Sequence, residues 1–220
     1  MPPRALLLDF DGVIADTENI HIAAWQRTFA RLGWELSDEA CTRAVEIDDR
    51  DFLSEVFAQK KITEGDVEGW VRAKQTLTRA MLADSPRVYP GVAALVRAAG
   101  SRARLAVVST TWRENVETVV AAAGLAAAFA TIVAKEDVQD PKPAPECYRL
   151  ALERLGVPAG AAVALEDSPT GLAAARAAGI RVVAVGHRRP PGEWSGDAPV
   201  LADLNETEQA LRVLGFEGTW

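Results

Sequence analysis

Hydrophobic positions along the chain follow two regimes. Near the N-terminus Leu6, Leu7 and Leu8 form an unbroken aliphatic run that stops at Asp9-Phe10-Asp11-Gly12. A short continuous apolar run predicts a strand buried on both faces, as in a parallel sheet. From residue 17 to about 81 the spacing turns helical. Ile22, Trp25, Phe29 and Leu32 share a face, with Gly33 as a stop. Phe52, Leu53, Val56 and Phe57 predict a short helix entered at Asp48 or Asp49. Val67, Trp70, Val71, Leu77 and Met81 predict a longer one. No strand pattern interrupts this segment, which predicts a helical bundle inserted after the first strand.

From Tyr89 the pattern alternates. Pro90-Gly91 opens a helix that ends near Gly100. Strands over 104–108, 130–134, 162–165 and 180–185 then alternate with helices over 113–123, 145–155 and 169–178. Strands separated by helices at this spacing predict a doubly wound parallel sheet. The expected fold is therefore α/β: a Rossmann-like core of residues 1–16 and 84–220, carrying an all-helical domain of residues 17–83. The tail reads as a Pro-rich loop at Pro190-Pro191-Gly192 and a closing element with a helix over 206–214.

Composition narrows the function. A hydrophobic share of 49% and a charged share of 25% are those of an ordinary globular protein. The formal charge of -7 argues against nucleic acid as a partner, since that affinity rests on clustered Lys and Arg. Cys41 and Cys147 are far apart and form neither a disulfide framework nor a zinc site. No apolar run reaches the ~18 residues of a membrane span. Met1-Pro2-Pro3-Arg4 leads straight into the first strand, so no signal peptide is expected. A cytoplasmic monomer acting on a small metabolite is expected.

Sites in doubly wound sheets lie outside the carboxyl ends of the strands. Those ends hold Asp9 and Asp11, then Ser109 and Thr110, then Lys142, then Glu166 and Asp167. Each has an ordinary alternative: a strand-end cap for Ser109, a helix cap for Ser168, solvated loop groups for Lys142 and the Glu166-Asp167 pair. Their joint occurrence fits phosphoryl transfer. Carboxylates can hold Mg2+, which screens a dianionic phosphate. A lysine and a hydroxyl can stabilise its oxygens in the transition state. One carboxylate can attack phosphorus while another moves protons.

These motifs, Asp9-Phe10-Asp11-Gly12-Val13, Val107-Val108-Ser109-Thr110, Lys142-Pro143-Ala144-Pro145 and Glu166-Asp167-Ser168-Pro169-Thr170-Gly171, resemble the four ordered motifs of the haloacid dehalogenase superfamily. The inserted helices, Asp16-Thr17-Glu18-Asn19-Ile20-His21 and Val88-Tyr89-Pro90-Gly91 resemble its β-phosphoglucomutase-like branch, which includes CbbY-type sugar phosphatases. The resemblance implies a phospho-aspartate on Asp9, with Asp11 as general acid/base. It implies Mg2+ on Asp9, the main-chain carbonyl of Asp11 and Asp167, supported by Glu166. It places the phosphate on Ser109, Thr110 and Lys142. Because dehalogenating members lack the second acid, Asp11 favours phosphate chemistry.

The inserted segment, a cap in that branch, carries the substrate candidates Thr17, Glu18, His21, Arg50 and Lys74. Lys74 shares the apolar stripe, and its alternatives are a side chain that snorkels to the rim or one that meets substrate oxygens. A mutase needs a second phosphate clamp, usually a lysine and an arginine, where this chain has Val45 and Asp49. Arg50 lies one residue off and is equally suited to a surface ion pair. Arg188 and Arg189, after the last core strand, read as solvated loop arginines, with a distal phosphate as the alternative partner. The expected activity is a Mg2+-dependent phosphatase for a small phosphorylated metabolite such as a sugar phosphate. The alternatives are a phosphoglucomutase-like isomerase and a catalytically silent ligand-binding module.

Overall fold

The computed structural model describes residues 1–31, 33–62, 65–194 and 197–216. Leu32, assigned to the first helical face from sequence, lies outside the described residues. The chain divides into two compact units, one of residues 1–16 and 86–220 and the other of residues 17–85.

The first unit is built on a parallel sheet of β1 (Ala5–Leu8), β2 (Arg104–Val108), β3 (Phe129–Val133), β4 (Ala162–Glu166), β5 (Arg181–Val185) and β6 (Val200–Leu201), in the order β3-β2-β1-β4-β5-β6. Ala5, Leu6, Leu7 and Leu8 are all fully buried, as a central strand covered on both faces requires. Around the sheet lie α5 (Val92–Gly100), α6 (Arg113–Ala122), α7 (Glu146–Leu155), α8 (Pro169–Ala177) and α9 (Thr207–Leu214), among the described residues. Ala5, Leu7, Ala106, Val108 and Ala164 pack with Tyr148, Ala151 and Leu155 of α7 and Leu172 and Ala175 of α8. Small alanines on both sides allow this close approach.

β4 runs one residue further than the sequence pattern predicts, so Glu166 is a strand residue rather than a loop acid. The two-residue β6 is a strand the pattern does not show. It pairs Val200 with Ala184 and Leu201 with Val185, and it is too short for any periodicity. Pro90-Gly91 opens α5 as expected: Gly91 has φ +83°, and a Cβ there would fall 1.8 Å from the Leu204 carbonyl oxygen. None of the described helices is long and apolar enough to cross a membrane.

The second unit comprises α1 (Glu18–Ala30), α2 (Asp38–Glu46), α3 (Asp49–Gln59) and α4 (Val67–Asp84). Ser37, Asp48 and Asp66 cap the last three by accepting from Ala40, Arg50 and Gly69 N–H groups. Its interior is aromatic. Trp25 stacks on Phe29 with centroids 5.2 Å apart, and Phe29 lies 5.4 Å from Trp70.

α4 departs from the expected stripe. Its buried residues are Val71, Lys74, Gln75, Thr78 and Leu82, while Leu77 and Met81 are only half-buried. The buried face is thus partly polar, and an ionic network explains why. Lys74 is 1% exposed, which overturns the snorkelling alternative. Its Nζ donates to Asp49 Oδ1 at 2.8 Å and contacts His21 Nδ1 at 2.7 Å. Gln75 donates to the other Asp49 oxygen at 2.5 Å, and the ammonium lies 5.5 Å from the Trp25 ring centroid. Burial and the Lys74 charge push His21 down to about 3. The ring is therefore neutral at pH 7, so Nδ1 accepts from the ammonium and the ring proton sits on Nε2. Burial alone would raise the Asp49 carboxyl; Lys74 outweighs it and holds it below its usual value.

A buried ion pair costs most when one partner is removed, because the other charge is left uncompensated. Asp49→Ala is expected to destabilise the protein by about 3–5 kcal/mol in urea titrations. The double variant Asp49→Leu with Lys74→Met should lose less than Asp49→Ala alone. The reverse order of stabilities would show that the pair is not buried as described.

Candidate active site

β1 and β4 are hydrogen-bonded neighbours, with Leu8 opposite Leu165. The Asp9 N–H continues this ladder, donating to the Leu165 carbonyl at 3.0 Å. The register therefore brings Asp9, just past β1, beside Glu166 at the end of β4. At this point the strand order reverses, which is where doubly wound sheets bind their ligands. Asp9, Glu166 and Asp167 are 7%, 0% and 6% exposed. One oxygen from each lies within 4.8 Å of the others.

Lys142 enters this cluster from the segment between β3 and α7. Its Nζ donates to Asp9 Oδ1 at 2.7 Å, to Glu166 Oε1 at 2.6 Å and to the Val108 carbonyl at 3.0 Å. Its side chain is 6% exposed, so it is no solvated loop lysine. Burial would lower its pKa, but Asp9 and Glu166 reverse that, raise it and keep the ammonium charged. Tyr148 of α7 donates a hydrogen bond to Glu166 Oε1 at 2.5 Å. Glu166 is nonetheless raised to about 7, by burial first and then by the Asp9 charge. Asp167 is raised to about 8 by burial and Asp9, against the opposing pull of Arg188.

Burial first, and the Asp9 charge second, thus disfavour the ionised form of both acids, so a cation among them would stabilise it. Three buried hard oxygen donors at this spacing are the donor set that Mg2+ takes, so the residues present fit the ion. The Asp11 carboxylate is not one of these three groups. Asp11 lies on the turn from Phe10 to Ala15, where the Ile14 and Ala15 N–H groups both donate to the Phe10 carbonyl. Gly12 on that turn has φ +85°, and a Cβ there would fall 1.8 Å from Asp167 Oδ2. Only glycine accommodates both the conformation and the approach.

Ser109 is fully buried beyond β2, and its Oγ accepts from the Thr111 N–H at 2.9 Å. Thr110 beside it is exposed. Ser168 caps α8, accepting from the Gly171 N–H at 3.0 Å, with Pro169 at the first helical position. The core thus brings together Asp9, Glu166, Asp167 and Lys142. Two partners in this region are not evident from sequence. Tyr148 is hidden among the apolar residues of an amphipathic helix. Arg188, expected in solvent, has Nη1 3.4 Å from Asp167 Oδ2. Arg189 instead lies 5.7 Å from the Trp194 ring centroid.

In the helical unit, Thr17 is buried just before α1, and its carbonyl accepts from the Ile20 and His21 N–H groups. Glu18 is half-buried in the first turn. His21 and Lys74 belong to the Asp49 network. Arg50 makes a two-pronged pair with Glu68, Nε to Oε1 at 2.6 Å and Nη2 to Oε2 at 3.1 Å. This is the surface ion pair weighed from sequence.

A family model described as haloacid dehalogenase-like hydrolase matches residues 6–185. Protein CbbY of Rhodobacter capsulatus is 36% identical over 201 residues, covering 83% of this chain and 85% of that protein. Fructose-1-phosphate phosphatase YqaB of Escherichia coli is 31% identical over 180 residues, covering 82% of this chain and 95% of that one. A solved structure of a CbbY mutant from Rhodobacter sphaeroides, in complex with xylulose-(1,5)bisphosphate, matches with a TM-score of 0.79 at 33% identity. That match covers 93% of this chain and 96% of the other. With the family model spanning most of the sequence and relatives above 30% identity aligned over most of both chains, the protein belongs to the haloacid dehalogenase-like hydrolases, in the branch that holds CbbY.

Proposed function

We propose that the protein is a Mg2+-dependent phosphatase that hydrolyses a small phosphorylated metabolite, most simply a sugar phosphate, through a phospho-aspartate on Asp9. The observation that carries this reading is the buried triad of Asp9, Glu166 and Asp167 with Lys142 bridging two of its members. Family membership and the phosphatase named among its relatives support it.

Lys142 holds one Asp9 oxygen at 2.7 Å, which fixes the rotation of the carboxylate and leaves the other oxygen to attack phosphorus. As the Asp9–phosphorus bond forms and the ester P–O bond breaks, Asp11 protonates the departing alkoxide. The resulting Asp11 carboxylate then takes a proton from water, whose oxygen attacks phosphorus. The Asp9–phosphate bond breaks, inorganic phosphate leaves and the Asp9 carboxylate is restored. The Lys142 ammonium, the Ser109 hydroxyl and Thr110 stabilise the phosphoryl oxygens during both transfers. Asp9, the main-chain carbonyl of Asp11 and Asp167, with Glu166 in support, would hold Mg2+, which supplies positive charge against the dianionic phosphate. In this reading the helical unit acts as the cap and selects the substrate, with Thr17 and Glu18 at its entry as the contact candidates; Lys74 and His21 are engaged by the Asp49 network and Arg50 by Glu68.

Hydrolysis is favoured over isomerisation by what stands where a mutase would carry its second phosphate clamp. Val45 has no charge, Asp49 is an acid already engaged by Lys74, and Arg50 is held by Glu68.

The test is to incubate the protein with Mg2+ and a panel of sugar phosphates, following free phosphate and, for β-glucose 1-phosphate, the isomerised product. Phosphate release without isomerisation is expected; isomerisation without net release overturns the proposal. Removing divalent ions with EDTA should stop turnover, and added Mg2+ should restore it. Asp9→Asn should abolish turnover, and a fully active Asp9→Asn would refute the covalent route. Lys142→Ala should lower kcat by roughly 10²-fold or more, with the fold intact by circular dichroism.

A further inference from the structure

We infer that Arg188 is a counter-cation built into the carboxylate cluster, against which a divalent ion must compete at Asp167, and that it thereby weakens and sets the cluster's metal affinity. The inference rests on the proposal that Asp167 is a metal ligand.

Among the described residues, Lys142 and Arg188 reach the three buried acids at different oxygens. Lys142 makes contacts of 2.6–3.0 Å to Asp9, Glu166 and the Val108 carbonyl, with its side chain 6% exposed. Moving it would strand two buried carboxylates. Arg188 contacts Asp167 Oδ2 at 3.4 Å, and its side chain is 35% exposed. Arg188 is therefore the cation that an ion binding Asp167 Oδ2 meets.

Its placement is not that of a loose loop. The preceding residue, His187, donates from Nδ1 to the Gly12 carbonyl at 3.0 Å, and its ring stacks on Tyr89 with centroids 4.0 Å apart. The Arg188 Cδ packs against Gly12 on the other side, lying 2.6 Å from where a Cβ would stand. The segment after β5 is thus fastened to the turn that carries Asp11, and the guanidinium is delivered to Asp167 by design of the backbone. A cation that takes Asp167 Oδ2 must compete with this guanidinium or share the oxygen with it against mutual repulsion. Anything that stabilises the metal-free form lowers apparent metal affinity by mass action.

The experiment is Mn2+ binding to the full-length, substrate-free protein, measured by the electron paramagnetic resonance signal of free Mn2+. Arg188→Met is expected to bind Mn2+ roughly three- to tenfold more tightly than the wild type. Arg188→Lys, which keeps the charge, should bind more weakly than Arg188→Met. Asp167→Asn should bind more weakly than the wild type. Wild-type binding that is unchanged or weakened in Arg188→Met overturns the inference while leaving the metal assignment standing. Absence of Mn2+ binding to the wild type, or full binding by Asp167→Asn, overturns the metal assignment and the inference together. Comparable far-ultraviolet circular dichroism for all variants establishes that folding does not account for the differences.

Discussion

The Lys142 ammonium, bonded at once to Asp9 and Glu166, is the contact on which the core site depends. Two carboxylates cannot be buried side by side without a cation between them. Placing that cation needs β1 and β4 adjacent and in register, which the β3-β2-β1-β4-β5-β6 order supplies. It also needs a connection from β3 to α7 that carries the lysine back across the carboxyl edge of the sheet. Tyr148 on α7 then gives Glu166 a hydrogen bond that the lysine alone does not provide. The same α7 packs Ala151 and Leu155 on the sheet, so the site and the apolar core share one element.

The helical unit solves a similar problem. Lys74, 1% exposed against 6% for the Lys142 side chain, is the more buried of the two lysines, and it bonds the Asp49 carboxylate and the neutral His21 imidazole. Gln75 fills the remaining Asp49 oxygen, so the carboxylate has partners on both of its oxygens. The Trp25 ring, 5.5 Å from the ammonium, joins this buried network to the Phe29 and Phe52 rings. The network thus sits in a low-dielectric setting in which each contact is strong and each vacancy costly.

Strand ends are legible in the sequence because a buried parallel strand must be apolar throughout, and the residue where that stops is marked by its polarity. Asp9, Ser109 and Asp167 are found by this signal, and so is the alternation that gives the doubly wound sheet. The signal fails where polarity itself is buried. On α4 the apolar count points to Leu77 and Met81, whereas the interior face is set by Lys74, Gln75 and Thr78. Pairing decided this face, and the partner, Asp49, lies on another helix 25 residues away. Tyr148 escapes notice, and Arg188 reads as a solvated loop arginine, for the same reason: each finds its partner in a residue on a different strand end. β6 escapes because two residues carry no period.

Charge also explains why the core needs more than its own side chains. Burial first, and then the charge of Asp9, raise Glu166 to about 7 and Asp167 to about 8, even with Lys142 and Arg188 at hand. A dianionic phosphate approaching such a cluster would meet repulsion, and protonating the acids would remove the nucleophile along with the charge. A divalent ion among hard oxygen donors resolves both difficulties at once. In the proposed reading every group involved comes from the ends of β1, β2 and β4 or from the connections after β3 and β5, so the phosphoryl chemistry would be supplied from the sheet, and those groups would act on the phosphate rather than on what it is attached to. Selection of the remainder of the substrate must therefore fall to residues outside the strand-end cluster, and in the proposed reading these belong to the unit that begins at Thr17.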